Sequence, residues 1–367
     1  AIRRQRQMCI RDSYSATRYT LKDGAHFSRE FIIMLLAVFL GIIAALFLSY
    51  FDYQVYTKFW PIIAVFCVII MLVLFKWGTG PSSRPDARTW LSIGPINFQP
   101  SELVKIGFII TFGVHLDKVK EKINNIFSIL QLGAHAAVPI VLVAATGDMG
   151  SALVFMVIAI VMMFVAGVHW GYFLGGIALV GAATPLIWTY VLKQLQKDRF
   201  LALIYPDLYP DIIYQQQRGL NAIGAGGITG QGLFKGAYTQ AGAVPESQND
   251  MIFSVVGEEF GFIGCITALL LIVLITVRII YVGKKSSEQS TNLICTGMAA
   301  MIIGQMIINV GMCLMLLPVI GITLPFFSAG GSSNLCVYLG IGIVMSIYRH
   351  NCDTGAVNIR VYDSLKK

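Results

Sequence analysis

The sequence predicts an all-α, polytopic membrane helix bundle, on three observations. Apolar residues make up 56% of the 367 positions and charged residues only 13%, against roughly a quarter charged in a soluble domain. The mean hydropathy is +0.72, more apolar surface than one soluble core of this length can cover. The apolar residues also gather into nine runs that can cross a bilayer, which takes about 17–25 residues, the shortest with help from tilt or flanking residues. Disorder, coiled coil and collagen are excluded by the same numbers, and no period of about 20–50 residues suggests a solenoid. Every spanning run should be helical, because hydrocarbon offers no partner to an unpaired backbone group.

Residues 1–13, AIRRQRQMCIRDS, are basic and polar and look like a translated sequencing adapter joined to a truncated reading frame. They are set apart from the fold. The first run, 30–50, shows no cleavable signal and would serve as its own insertion signal. The second, 59–77, follows Lys58, and the third, 100–116, opens within QPSELVK. There Glu102 and Lys105 stand at i, i+3 on one helix face, where they can pair. The fourth and fifth, 130–146 and 150–168, are parted by the turn TGDMGSA, whose Asp148 suits a helix N-cap. The sixth, 171–191, leads into a long polar stretch at 192–251. The seventh and eighth, 252–282 and 293–317, precede the charge-free loop GITLPFFSAGGSSN at 321–334. The ninth, 334–348, is followed by a tail at 351–367.

Lys and Arg in short loops orient the bundle. One set of loops holds Lys58, Lys118, Lys120, Lys122, Arg278, Lys284 and Lys285, and the tail adds Arg349, Arg360, Lys366 and Lys367. The opposite short loops hold Arg84 and Arg88 alone. The tail is therefore expected in the cytoplasm and 192–251 outside, where its five basic and five acidic residues cancel. Topology thus accounts for the net charge of +8, and a nucleic-acid partner is not implied. Nine spans would leave the basic residues 1–13 outside, against the rule; a further upstream helix would give ten spans and both ends inside.

Seven cysteines, at 9, 67, 265, 295, 313, 336 and 352, lie mostly in apolar runs without a CxxC pair, and the five histidines lack metal-ligand spacing. Neither a disulfide framework nor a zinc site is suggested; the cysteines read as small packing residues.

Ionisable groups in or at the mouth of a span are costly and mark function by default. Glu102 and Lys105 qualify, although a pair that merely locks two helices would look the same. Five glycines within Gly224–Gly232 permit turns and close approach to a ligand, but no strand precedes them, so no nucleotide-binding fingerprint is formed. Asp250 sits at the entrance of the seventh run, and Glu258 and Glu259 follow about two helical turns later. Three acids at one outer mouth favour a site; capping and interhelical hydrogen bonds are the competing account. Pro325 and the run Gly330–Ser333 would break a helix at membrane depth, which is tolerated where it lines a cavity or is buried in protein. A polar, re-entrant element closing the same outward site is expected there.

Six segments, in order, resemble the SEDS family of peptidoglycan glycosyltransferases, which includes RodA, FtsW and SpoVE. They are YSATRY at 14–19, ARTWLSIGPINFQPSELVK at 87–105, GDMGSALVF at 147–155, QRGLNAIGAGGITGQG at 217–232, PESQNDMIFSVVGEEFGFIG at 245–264 and LPFFSAGGSSN at 324–334. The resemblance covers about residues 14–350, taken as one transmembrane domain with an outer catalytic loop at 192–251. It implies a ten-helix fold whose first helix would end at the YSAT string. It also implies polymerisation of lipid II, the undecaprenyl-linked disaccharide-pentapeptide, into glycan strands.

By the same resemblance Asp250 is the general base that takes the proton of the attacking sugar hydroxyl. Arg88, Trp90, Glu102, Lys105, Asp148, Arg218, Glu258, Ser328, Gly330, Gly331 and Ser332 are the candidate substrate contacts. Pyrophosphate leaves well, so no second carboxylic acid is needed to protonate it, and no required cofactor is expected. Lys105, Arg88 and Arg218, or a divalent cation such as magnesium, would stabilise its charge. The implied partners are lipid II, the nascent glycan, a class B penicillin-binding protein transpeptidase and other elongation-complex membrane proteins. The implied place is the bacterial inner membrane with the active site outward.

Ser247-Gln248-Asn249 and GDMG depart from the commoner family strings without removing an ionisable group, which bears on fine specificity alone. The loop GQGLFKGAYTQ is closer to elongation members than to division members. A lipid II flippase stays open as the alternative activity, and a division or sporulation role as the alternative within the family. A transporter would be expected to show paired interrupted helices in repeat halves, which the sequence lacks, and a pure scaffold would not need Asp250.

Overall fold

The computed structural model describes residues 29–80, 87–93 and 96–365. The 1–13 segment, the YSAT string, the inferred upstream helix and Arg84 lie outside the described residues. The elements are α1 (Arg29–Tyr50), α2 (Tyr53–Lys58), α3 (Trp60–Trp77), the strands β1 (Leu91–Ile93) and β2 (Ile96–Phe98), and α4 (Pro100–Lys118). Then come α5 (Ile126–Ala145), α6 (Met149–Val165) and α7 (Trp170–Leu186), which runs on through one wider turn at Ile187–Val191. Next are α8 (Gln194–Ile204), α9 (Pro210–Gly226) and the single turn α10 (Ala237–Gln240). The last three are α11 (Ile252–Lys285), α12 (Gln289–Cys313) and α13 (Gly331–Leu365). β1 and β2 form an antiparallel hairpin pairing Leu91 with Phe98.

A helix stands at each of the nine predicted positions. Among the described residues, seven are long and apolar enough to cross a membrane. The other two are α4, which carries Glu102, Lys105, Asp117 and Lys118, and α6, with 17 residues. Multi-pass membrane architecture is therefore established, and the count of nine remains an expectation.

Three boundaries differ from the sequence-based expectation. α12 ends at Cys313 rather than near 317, because Met315 adopts φ 57° and the N–H groups of Leu316 and Leu317 turn back onto the Gly311 carbonyl. α13 starts at Gly331 and continues through the expected tail to Leu365. The stretch 192–251 is largely helical, not a plain loop: it holds α8, α9 and α10.

Contacts divide the chain into two compact units. One comprises the chain up to Leu35, His169–Val273 and Gly304–Gly330; the other comprises Leu36–Val168, Leu274–Ile303 and the chain from Gly331 onward. In the second unit α4 is buried on nearly every side and packs against α3, α5, α6 and α13. Glycines let these helices approach closely, as membrane interfaces favour. A side chain at Gly107 would strike Cys67, and one at Gly297 would come within 2.6 Å of Ile109 and 2.7 Å of Met162. Large apolar side chains on α1, α3 and α5, among them Phe39, Phe47, Ile62, Phe66 and Val141, stay exposed, as lipid-facing positions should. Cys265, Cys295, Cys313 and Cys336 are buried free thiols, and Cys67 is half-buried, matching their role as small packing residues.

In the first unit α9 buries Ile213, Gln216, Gly219, Ala222 and Gly226, one stripe at helical spacing. That stripe meets the start of α11, where a side chain at Gly219 would strike Met251 and Ser254. It also caps the end of α12: Gln216 Nε2 donates to the carbonyl of Met312 (2.8 Å), in the last turn, and to that of Leu317 (2.7 Å), just beyond the helix.

Candidate functional site

Asp250 is buried two residues before α11 begins. The three successive carbonyls of Gln248, Asn249 and Asp250 each accept a hydrogen bond from later in the chain. The Ala329 N–H donates to Gln248 (2.8 Å), Ser328 Oγ to Asn249 (2.6 Å) and Asn309 Nδ2 to Asp250 (2.8 Å). Ser328 Oγ also accepts the Leu324 N–H at 2.8 Å, closing the 324–328 turn on itself. The backbone carrying the aspartate is thus fixed from two directions, by α12 and by the 321–330 segment. Ser328 and Gly330, predicted to contact substrate, belong to the segment that holds Asp250; Ser328 does so with its own hydroxyl.

Glu258 and Glu259 turn elsewhere. The Glu258 carboxylate is fully buried and accepts from Tyr238 N (2.7 Å), Thr239 N (2.9 Å) and Thr239 Oγ1 (2.5 Å). It therefore anchors α10, and its expected contact with substrate stays an expectation beside that structural role. Glu259 accepts from Gln240 Nε2 at 3.4 Å. Glu258 and Glu259 thus both take donors from α10.

The glycine-rich stretch approaches the backbone of α11 closely. Gly261 (φ 65°, ψ −163°) interrupts that helix, so the carbonyls of Glu258 and Glu259 lose their usual donors four residues on. Gln231 N and Gly232 N supply replacements at 3.0 Å each. The freed N–H groups of Phe262 and Ile263 donate to Gly227 (2.9 Å) and Ile228 (3.2 Å) in return. A Cβ at Gly230 or Gly261 would strike the opposing backbone, and the positive φ at both, 82° and 65°, suits glycine alone. Arg218, on the half-exposed side of α9, lies with its guanidinium 5.1 Å from the Tyr214 ring.

The remaining predicted residues lie in the second unit. Lys105 and Glu102 form a buried ion pair at 2.7 Å, with side-chain exposures of 0% and 6%. The predicted pairing is therefore present, and the Lys105 charge is balanced by its neighbour. Asp148 caps α6 through Ser151 N (3.0 Å) and accepts from Gln99 Nε2 (2.8 Å) and Ser101 Oγ (3.0 Å). Ser332, in the first turn of α13 after Gly331, accepts from Gln99 N at 3.2 Å and donates to the Asn97 carbonyl at 3.3 Å. Asp148 and Ser332 are thus joined through Gln99, just ahead of the Glu102–Lys105 pair. Arg88 donates from its guanidinium to the Phe75 carbonyl and from its N–H to Thr146 at 2.8 Å. Trp90 pairs by backbone with Thr79.

Gln99, Ser101 and Asn309 were not singled out from the sequence. A signal for Asn309 existed: it stands with Gln305 at i, i+4 inside the apolar GQMIINVGMC. A polar side chain there needs a partner or a purpose. Among the described residues no three His, Cys, Asp or Glu side chains come together as a metal site.

The profile of the FtsW/RodA/SpoVE cell cycle proteins matches residues 8–353, which takes in part of the 1–13 segment. The peptidoglycan glycosyltransferase MrdB of Escherichia coli K12 is 28% identical over 314 residues, 85% of this chain and 83% of its own. A probable peptidoglycan glycosyltransferase FtsW of Geobacter sp. strain M18 is 31% identical, covering 89% and 87%. Stage V sporulation protein E of Bacillus subtilis 168 is 30% identical, covering 91% and 90%. Among solved structures, a chain of a peptidoglycan synthase complex that coordinates polymerization and crosslinking superposes with TM-score 0.80 at 24% identity, over 95% of this chain and 96% of that one. The rod shape determining protein RodA of Thermus thermophilus gives 0.68 at 22% identity, covering 95% of each.

Proposed function

This chain belongs to the FtsW/RodA/SpoVE family, and from that premise we propose that it is a peptidoglycan glycosyltransferase polymerising lipid II into glycan strands. A sugar hydroxyl attacks the anomeric carbon of a lipid-linked donor, the C–O bond to pyrophosphate breaks, and the α linkage inverts to β. A hydroxyl is a poor nucleophile, so a carboxylate within hydrogen-bond reach must accept its proton. Asp250 is that group. The observation that carries the assignment is its fixed backbone, with three consecutive carbonyls tied to donors from α12 and the 321–330 segment.

The leaving pyrophosphate needs positive charge. Lys105 is already paired with Glu102, which leaves Arg218, half-exposed on α9, as the better candidate of the three named cations. Asp148, Glu258 and Ser328 serve the architecture that presents the site. The tail lies in the cytoplasm and the 192–251 stretch outside, in the bacterial inner membrane, and the working partner is a class B penicillin-binding protein transpeptidase. We assign the chain to elongation on the loop GQGLFKGAYTQ; MrdB, FtsW and stage V sporulation protein E match the chain about equally, at 28–31%.

The test is purified lipid II in detergent with the full-length protein and its transpeptidase, read as polymer on a gel. Polymer from the parent is expected. Its absence, together with lipid II transfer across vesicles, would favour a flippase.

A further inference from the structure

Asn309 is buried with no exposed surface in the last full turn of α12. Its amide nitrogen donates to two carbonyls, Asp250 at 2.8 Å and Ile322 at 2.7 Å. A carboxamide nitrogen carries two protons on one short stem, so it can bridge two carbonyls at once. Serine supplies one donor, and aspartate (ionised) and leucine supply none. Ile322 opens the segment whose Ser328 and Ala329 bind Asn249 and Gln248. The two protons of one side chain therefore tie the backbone of Asp250 to the segment that holds its two predecessors. Cys313 Sγ, one turn on, also lies 3.7 Å from the Asp250 carbonyl.

We propose that Asn309 is a positioning residue for the reaction: it sets where the Asp250 carboxylate stands and touches no substrate. The inference rests on Asp250 being the base. A carboxylate at the head of a helix swings with its own backbone, and displacement by about 1 Å can cost roughly 10²-fold in rate. An interaction that acts only through the base lowers kcat and kcat/KM equally and leaves KM alone.

The experiment uses the full-length protein with its transpeptidase and measures initial polymerisation rates against lipid II concentration for four variants: N309L, which keeps the volume and removes both donors; N309S, which keeps one donor; D250N; and the double variant D250N/N309L. Folded fraction is followed by size exclusion and thermal unfolding. The expected result for N309L is kcat lower by about 10²-fold at a KM within about twofold of the parent. N309S should fall between the two. In the D250N background N309L should add no more than about twofold, because the group it positions is already disabled.

A kcat for N309L equal to the parent's overturns the proposal, as does a loss in the D250N background as large as in the parent. If N309L does not accumulate as folded protein, N309S decides by its own kcat: parent-like turnover overturns the positioning role, and a drop at unchanged KM and unfolding temperature supports it. An active D250N defeats the assignment of the base itself, an outcome distinct from any result at Asn309.

Discussion

Replacing Lys105 by Met should destabilise the protein far more than replacing Lys105 and Glu102 together. The pair is 2.7 Å apart with exposures of 0% and 6%. At an effective dielectric near 20 the attraction is about 6 kcal/mol, and desolvation of the two ions, several kcal/mol each, cancels most of it. The intact pair is thus close to neutral in net stability. Removing Lys105 alone leaves a carboxylate uncompensated inside α4, which costs about 3–5 kcal/mol. The double variant E102L/K105M removes both charges and should recover most of that loss. The assay is thermal unfolding of detergent-purified protein, followed by the fraction that stays monodisperse on size exclusion. K105M as stable as the parent, or E102L/K105M no better than K105M, would show that Lys105 does not compensate a buried carboxylate. Activity of a stable double variant then separates a pair that locks helices from one that binds substrate.

Gly261→Ala should destabilise by at least about 1–3 kcal/mol, since φ 65° is strained for alanine and its Cβ would meet the Gly230 N–H and the Ile228 carbonyl; thermal unfolding checks it, and an unchanged unfolding temperature contradicts the loop–helix exchange. Glu258→Gln should loosen α10 by about 1.5–3 kcal/mol, the worth of hydrogen bonds to a charged acceptor. Limited proteolysis near 236–242 should quicken, while activity falls only in proportion to folded protein. Asp148→Ala should cost about 0.5–2 kcal/mol for the lost cap of α6, with more from the Gln99 and Ser101 donors it strands. Equal unfolding temperatures for variant and parent would count against the cap.

The helices were legible in the sequence because apolar runs of bilayer length admit few alternatives. What escaped depended on partners distant in sequence. The apolar Leu314–Leu317 hides the end of α12, which follows from the backbone turn at Met315 and from Gln216 taking up the freed carbonyls. The glycines at 224–232 announced close approach but not to what; their partner is an interrupted helix some thirty residues on. The i, i+3 spacing of Glu102 and Lys105 revealed their pairing because that contact is local. Glu258 looked like a site residue because a buried acid is costly, and the structure meets that cost with three donors from Tyr238 and Thr239. Asp250 stood out by position and resemblance; its fixation by Asn309 joins residues 59 apart and shows only in the fold.

If Asp250 is the base of a lipid II polymerase, D250N removes the chemistry and little else. Asparagine keeps the shape and can hydrogen-bond, but it cannot take a proton from the acceptor hydroxyl. The measurement is polymer formed from purified lipid II by full-length parent and D250N, alone and with the transpeptidase, alongside lipid II binding and thermal unfolding. A rate lower by about 10²–10⁴-fold is predicted, with binding and unfolding temperature retained. Near-parent polymer from a folded D250N under both conditions would place the base elsewhere and contradict the account.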